Sequence, residues 1–120
     1  MSLVYPLTVC AFKEFNVGSR RDADRTTAWF DGELDCGGEG LARAEIEIAL
    51  DRGGSELVLD LRNVSFLDAR GVRVLLGARS ACEARNLRLT LQPSDRVQDV
   101  LELCCLGDAF ELAEPQALSA

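Results

Sequence analysis

The sequence predicts an α/β fold with a mixed, mostly parallel sheet of about four to five strands and three or more helices. Segments with the pattern of strands alternate with segments of helical periodicity, in the order β-β-α-β-α-β-α-β, which favours parallel central strands. Leu57–Leu61 is apolar almost throughout, as expected for a strand buried on both faces of a sheet. The length of 120 residues suits a single domain, expected over residues 1–114, followed by a disordered tail over residues 115–120.

Four further segments have the composition or spacing of strands, and one charged segment separates the first two. Roughly alternating apolar residues predict a first strand over Leu7–Val17, and the polar segment Gly18–Arg25 is expected to be a loop. The β-branched and aromatic residues of Thr26–Phe30 predict a second strand. Leu87–Leu91 alternates between apolar and polar residues, and Phe110–Leu112 is expected to form a short edge strand.

Three helices are predicted from apolar residues at helical spacing and from residues that favour helix ends. The first runs over Gly38–Asp51 and ends at Gly53 and Gly54, with two overlapping apolar stripes: Leu41, Ala44, Ile48 and Ala42, Ile46, Leu50. The second begins after Asp68, and the third begins after Ser94 as its N-cap, with Gly107 following its end. The residues expected to be buried in these two helices are Val72, Leu75, Leu76, Ala78 and Cys82, then Val97, Val100, Leu101 and Cys104.

The composition disfavours several classes of function. A net charge of −7 and a pI of about 4.5 argue against nucleic acid and against anionic membranes as partners, because both require a cationic surface. The chain has no histidine, which excludes Ser-His and Cys-His catalysis and histidine-ligated metal within it. No set of side chains converges by spacing on a catalytic site, so we expect no enzymatic activity, no metal and no cofactor. The sequence has no apolar run of membrane-spanning length and no signal-peptide pattern, so we expect a cytoplasmic protein.

The five cysteines are Cys10, Cys36, Cys82, Cys104 and Cys105. Their spacing contains no C-x-x-C motif, so neither a zinc site nor a thioredoxin-like motif is supported. An odd number of cysteines in a chain without a leader indicates free thiols in a reducing compartment. A redox-active pair drawn from Cys82, Cys104 and Cys105 stays open, because no spacing specifies which two approach each other. The alternative is that Cys104 packs as a small apolar residue and Cys105 is incidental.

A short turn joins the third predicted strand to the second helix. Asp68 stands where a helix N-cap belongs, and Ala69 is expected at the first helical position. The N-terminus of a helix carries a partial positive charge, so a charged group attached there has a strong local effect. This turn is the most informative part of the chain for function.

Several motifs, in one order, resemble those of STAS domains, the fold of anti-sigma factor antagonists. They are Gly32-x-Leu34-Asp35, then Leu57 to Asp68 with the apolar run and the capping aspartate, then Gly71-Val-x-Val-Leu75-Leu76. The resemblance runs from about Thr26 to Leu112. It implies a protein that binds an anti-sigma factor, usually a small ATP-binding serine kinase, and so frees a sigma factor. In the family, that kinase phosphorylates a serine or threonine that follows the aspartate of the turn.

The sequence departs from this family pattern at Ala69, which has no hydroxyl to accept a phosphate. Ser65 lies three residues before Asp68 and is expected to be too buried to replace it. The resemblance therefore implies the binding surface without the phosphorylation switch at position 69. Regulation is expected from expression level, from cysteine oxidation or from a modification outside the turn.

The expected partner-binding surface combines the start of the second helix with the loop after the second strand. Its residues are Gly32, Leu34, Asp35, Asp68, Ala69, Arg70, Gly71 and Arg73. Arg70 and Arg73 lie one helical turn apart, and arginine is enriched at interface hot spots. The equally open alternative for both arginines is ordinary exposed helix surface.

Two other functions stay open at this point. One is a STAS scaffold or a transporter-associated module, for which an alanine in the turn needs no explanation. The other is a redox-gated sensor whose cysteines control partner binding. The sequence does not decide between a monomer and a dimer.

Overall fold

The computed structural model describes residues 15–35 and 37–113, and these form eight elements in the predicted order. The strands are β1 (Phe15–Asp22), β2 (Arg25–Leu34), β3 (Glu56–Leu67), β4 (Arg88–Pro93) and β5 (Glu111–Leu112). The helices are α1 (Glu39–Arg52), α2 (Ala69–Ala84) and α3 (Asp95–Leu103). The predicted tail at residues 115–120 lies outside the described residues.

The strands of the described chain form one mixed sheet in the order β1-β2-β3-β4-β5. β1 and β2 are antiparallel, whereas each of the pairs β2–β3, β3–β4 and β4–β5 is parallel. Each parallel connection carries one helix, as a crossover between parallel strands requires. The predicted fold class, an α/β fold with a mixed and mostly parallel sheet, is confirmed.

The hydrophobic core is shared between the sheet and all three helices. Phe30 of β2 and Leu59 of β3 are almost fully buried, in one cluster with Ile46, Leu75 and Leu101 of the helices. The side chains that alternate with the core residues along the strands line a polar depression of about 630 Å³ on the other face of the sheet. The helices therefore meet an apolar face, and the opposite face carries most of the charged strand residues.

The N-terminal part of the prediction was wrong in one respect. The expected loop Gly18–Arg25 is mostly strand, because Gly18 to Asp22 continue β1 and pair with β2 from Trp29 to Arg25. Only Ala23 and Asp24 form the turn. The charged side chains that suggested a loop belong to the edge strand of the described sheet, and charged side chains are common on edge strands because they oppose unwanted pairing. Of the predicted first strand, only the last three residues fall within the described chain, and they belong to β1.

Three predicted details of the helices were also wrong. Leu41 and Ile48 of α1 are 52% and 47% exposed, because only the stripe containing Ile46 faces the core. Cys104 is exposed at the C-cap of α3. The left-handed residue that follows this helix is Cys105, with φ 61°, and not Gly107.

Candidate partner-binding surface

The turn between β3 and α2 has the predicted capping geometry. The Asp68 carboxylate accepts hydrogen bonds from the backbone N–H groups of Arg70 (2.9 Å) and Gly71 (3.2 Å). The Asp68 carbonyl accepts the first helical hydrogen bond, from Val72 N at 3.0 Å. Ala69 is therefore the first residue of α2, and it is exposed. Such a side-chain cap stabilises a helix by about 1 kcal/mol.

Close packing fixes the start of α2 against the end of β2. A Cβ atom on Gly71 would lie 2.3 Å from Leu67 Cδ1 and 2.6 Å from the Leu34 carbonyl oxygen, so only glycine fits there. The Asp68 N–H donates to the same Leu34 carbonyl, at 3.4 Å. Leu34 and Gly71 are both buried. Two of the predicted surface residues therefore position the surface and do not offer side chains to a partner.

The loop after β2 leads directly into α1. The Asp35 carbonyl accepts hydrogen bonds from Gly38 N (3.1 Å) and Glu39 N (2.9 Å), and its carboxylate accepts one from Gly37 N (2.9 Å). Asp35 is half-buried, and its polar groups hold the entry to α1 in place. Gly32 has φ 128°, a conformation that L side chains rarely adopt.

An irregularity in the pairing of β2 with β3 exposes two consecutive side chains of β3 just before the Asp68 turn. Gly32 pairs with Val64 and Glu33 pairs with Phe66, so Ser65 is an extra residue on β3, as in a β-bulge. Strict alternation is lost there, and both Ser65 and Phe66 are exposed, Phe66 by 42%. The expectation that Ser65 is buried was wrong for this reason.

The exposed arginines of α2 differ in their local contacts. Arg70 Nε lies 3.9 Å from Glu39 Oε1, and the same carboxylate lies 3.1 Å from Arg43 Nη2. Arg73 is exposed and makes no salt bridge within the described part of the chain. The surface thus carries a free cation on α2 and a second cation that Glu39 holds in place. Sequence reasoning missed Glu39, because its contact crosses between two helices.

Three of the five cysteines fall within the described residues, one with a buried thiol and two with exposed thiols. Cys82 is buried in the core, and burial raises the pKa of its thiol, with a smaller opposing effect from the charge of Arg85. A protonated, buried thiol is a poor nucleophile. Cys104 and Cys105 are exposed and free near the end of α3. Cys82, Cys104 and Cys105, the predicted source of a redox pair, therefore lie in different environments, the first in the core and the other two at the surface.

Within residues 15–35 and 37–113, no group of three metal-ligating side chains is placed to hold an ion. No helix in that part of the chain is long and apolar enough to cross a membrane.

The capped turn, the Gly71 packing and the alternating fold lie within residues 24–116, which match the family model of the STAS domain. The chain belongs to the STAS domain family. It is 30% identical over 93 residues to the anti-sigma-B factor antagonist of Listeria monocytogenes serovar 1/2a, an alignment that covers 77% of this chain and 82% of that protein.

Solved structures share the fold along most of the chain. The anti-sigma factor antagonist SpoIIAA in its unphosphorylated form is 27% identical, with a TM-score of 0.67 over 88% of this chain and 94% of that one. The Bacillus cell fate determinant SpoIIAA in its phosphorylated form is 25% identical, with a TM-score of 0.63 over 88% and 97% of the two chains.

Proposed function

We propose that this chain is an anti-sigma factor antagonist, which binds an anti-sigma factor and thereby releases a sigma factor. The observation that carries the proposal is the exposed start of α2, which the Asp68 cap and the Gly71 packing fix against the end of β2. The likeness to proteins named anti-sigma factor antagonists supports it. The chain acts by binding and not as an enzyme.

The contact surface centres on side chains that project from the β3–α2 connection. Arg73 lies three residues after Arg70 and four after Ala69 on the first two turns of α2, the spacings at which helix side chains are neighbours. Phe66 adds an exposed aromatic ring just before the turn. A mixture of aromatic and arginine side chains is typical of the residues that dominate binding energy at protein interfaces.

Ala69 excludes one form of regulation of this surface, phosphorylation at the start of α2. Its methyl group accepts no phosphate, so the position keeps the size and neutrality of an unmodified residue. A phosphate at a helix N-terminus is stabilised within its own domain, yet its charge of about −1.5 to −2 opposes a closely packed partner. The domain is therefore not switched off by phosphorylation at position 69. A related protein, SpoIIAA, has been solved in a phosphorylated form.

The partner that we propose is an anti-sigma factor related to serine kinases, met in the cytoplasm. The proposed contact needs no nucleic acid, no membrane and no cofactor. The binding measurement below also gives the molar ratio of this chain to its partner.

Calorimetry with the purified, reduced chain and the anti-sigma factors encoded in the same genome tests the proposal. A non-hydrolysable ATP analogue keeps a kinase-like partner in its nucleotide-bound state without phosphoryl transfer. We expect one anti-sigma factor to bind, and Arg73→Ala to weaken that binding by about 1–3 kcal/mol, because arginine side chains often dominate the binding energy of an interface.

Arg79→Ala is the matched control, since Arg79 lies on the same helix and pairs there with Glu83 at 3.5 Å. Equal losses from the two variants would contradict the placement of the interface. Failure of every anti-sigma factor to bind would contradict the function and favour the scaffold or transporter-associated module.

A further inference from the structure

The face of the sheet opposite the helices carries a polar depression of about 630 Å³. The strands β2 to β5 follow one another in the sheet, and right-handed crossovers between such neighbours place every connecting helix on the same face. Within residues 15–35 and 37–113, the opposite face is therefore covered by no helix. The volume of the depression lies within the range of about 300–1,000 Å³ that is usual for small-molecule sites.

Most of the charges in this depression are paired with one another. Its lining contains three arginine–carboxylate pairs: Arg25–Glu56, Arg62–Asp60 and Arg88–Glu111. Arg20 is different, because it is exposed and its guanidinium makes no salt bridge or hydrogen bond with any residue of the described chain. Asp22, two positions further along β1, also has no ion pair in that part of the chain. A ligand with one negative charge is therefore attracted to Arg20, whereas Asp22 repels a second negative charge.

Trp29 forms an aromatic platform in the same depression. It is the only tryptophan of the chain, and it pairs with Gly18 across β1 and β2. A Cβ atom on Gly18 would lie 2.3 Å from Trp29 Cζ2 and 2.6 Å from Trp29 Cε2, so the indole ring lies across Gly18. Trp29 is still 41% exposed and lines the depression. One side of the ring therefore packs on the backbone of β1, and the other is open, within the described chain, to stacking by a planar ligand.

Arg20 and Trp29 are close enough to bind one small molecule. Trp29 pairs with Gly18 and Thr27 pairs with Arg20, so Arg20 and Trp29 are diagonal neighbours on one face of the sheet. The bases of two such side chains lie about 7–8 Å apart. An aromatic ring stacked on the indole therefore brings a carboxylate that is bonded to the ring within reach of the guanidinium. Arginine binds a carboxylate there through two parallel N–H···O hydrogen bonds.

We propose that the depression is a binding site for a small planar aromatic carboxylate, whose ring stacks on Trp29 and whose carboxylate pairs with Arg20. The open side of the indole favours a planar aromatic ring over an aliphatic group. The single unpaired guanidinium favours one carboxylate over a polyanion, since the other arginines of the depression are already paired. The site shares no residue with the proposed partner-binding surface, so the inference does not rest on the proposed function.

Nuclear magnetic resonance of the isotopically labelled chain, titrated with benzoate, tests the proposal. Because the chain has one tryptophan, its single indole N–H signal reports contact at Trp29 without ambiguity. Benzoate should shift this signal saturably, with a dissociation constant of about 10 mM or lower. Benzamide has the same shape without the charge, and it should bind roughly three- to tenfold more weakly.

Arg20→Gln removes the unpaired charge from the site. This variant should bind benzoate roughly three- to tenfold more weakly than the wild type and should no longer prefer benzoate to benzamide. Arg79→Gln is the matched control, because it removes the same charge from α2, on the helix side of the sheet, where Arg79 pairs with Glu83. It should bind benzoate as the wild type does.

Three results would overturn the inference: an indole signal that benzoate does not shift, equal binding of benzoate and benzamide, or equal binding of benzoate by the wild type and Arg20→Gln. Trp29→Leu tests the stacking through saturation-transfer signals of benzoate, and undiminished signals would overturn it as well. The amide spectrum of each variant shows that the fold is kept, and Arg20→Gln alters only an exposed side chain. Benzoate and the anti-sigma factor use different residues, so failure of either one to bind leaves the other conclusion standing.

Discussion

Replacing Gly71 with alanine tests the packing that positions the proposed interface. The added methyl group would lie 2.3 Å from Leu67 Cδ1 and 2.6 Å from the Leu34 carbonyl oxygen, and the second of these atoms belongs to the backbone of a central strand. Overpacking of this kind costs about 1–3 kcal/mol, and we take the upper end because the backbone cannot rotate away. The higher helix propensity of alanine returns about 1 kcal/mol. The expected net loss in the free energy of unfolding is about 2 kcal/mol.

Gly77→Ala is the control for this prediction, because Gly77 lies on the same helix and is exposed. The nearest atom to a Cβ there is Arg43 Nη1, at 3.6 Å, an ordinary contact with a flexible side chain. This variant should gain about 1 kcal/mol from helix propensity. Urea unfolding followed by far-ultraviolet circular dichroism measures both changes. Equal stabilities of Gly71→Ala and Gly77→Ala would refute the packing argument.

The remaining predictions concern the Asp68 cap, the positive φ of Gly32 and the buried thiol of Cys82. Asp68→Ala should lower the free energy of unfolding by about 1 kcal/mol, measured by urea unfolding, and a change below a few tenths would contradict its role as a cap. Gly32→Ala should cost about 1–3 kcal/mol in the same measurement, since φ 128° is unfavourable for alanine, and an unchanged stability would mean that this backbone conformation is not maintained. The pKa of Cys82 is raised in the folded chain, mainly by burial, whereas the unfolded thiol titrates near its ordinary value of 9.0. Stability from the protonated thiol is therefore fully present below about pH 9 and falls as the pH rises toward the folded pKa, and Cys82→Ala should show a smaller alkaline fall in unfolding free energy.

The parts of the site that depend on neighbouring residues in the sequence were predictable. The Asp68 cap, the exposed Ala69 and the beginning of α2 follow from a few consecutive residues, and the structure confirms them. The need for glycine at position 71 is different, because its cause is a contact with the end of β2. The sequence indicates that such a glycine exists but not which atoms exclude a side chain.

The parts that depend on pairing between strands could not be read from one strand alone. The extra residue at Ser65 exists only relative to Gly32 and Glu33 of β2, so the sequence of β3 alone did not show that Ser65 and Phe66 are exposed. The charged residues of Gly18 to Asp22 form a strand because β2 supplies their hydrogen-bonding partners. Both errors have the same physical origin, since register is a relation between distant segments.

The most direct test of the proposed antagonist function measures sigma-factor release. This chain is titrated into a complex of the sigma factor with its anti-sigma factor, in the presence of a non-hydrolysable ATP analogue. Release is followed by the fluorescence anisotropy of the labelled sigma factor. The wild-type chain should release the sigma factor, and Ala69→Glu should need roughly ten- to hundredfold more protein, because it places a charge in a desolvated contact worth about 1–3 kcal/mol. Ser80→Glu, on the exposed part of the same helix, should behave as the wild type. A sigma factor that stays bound at saturating wild-type chain, or that Ala69→Glu releases equally well, would contradict the account.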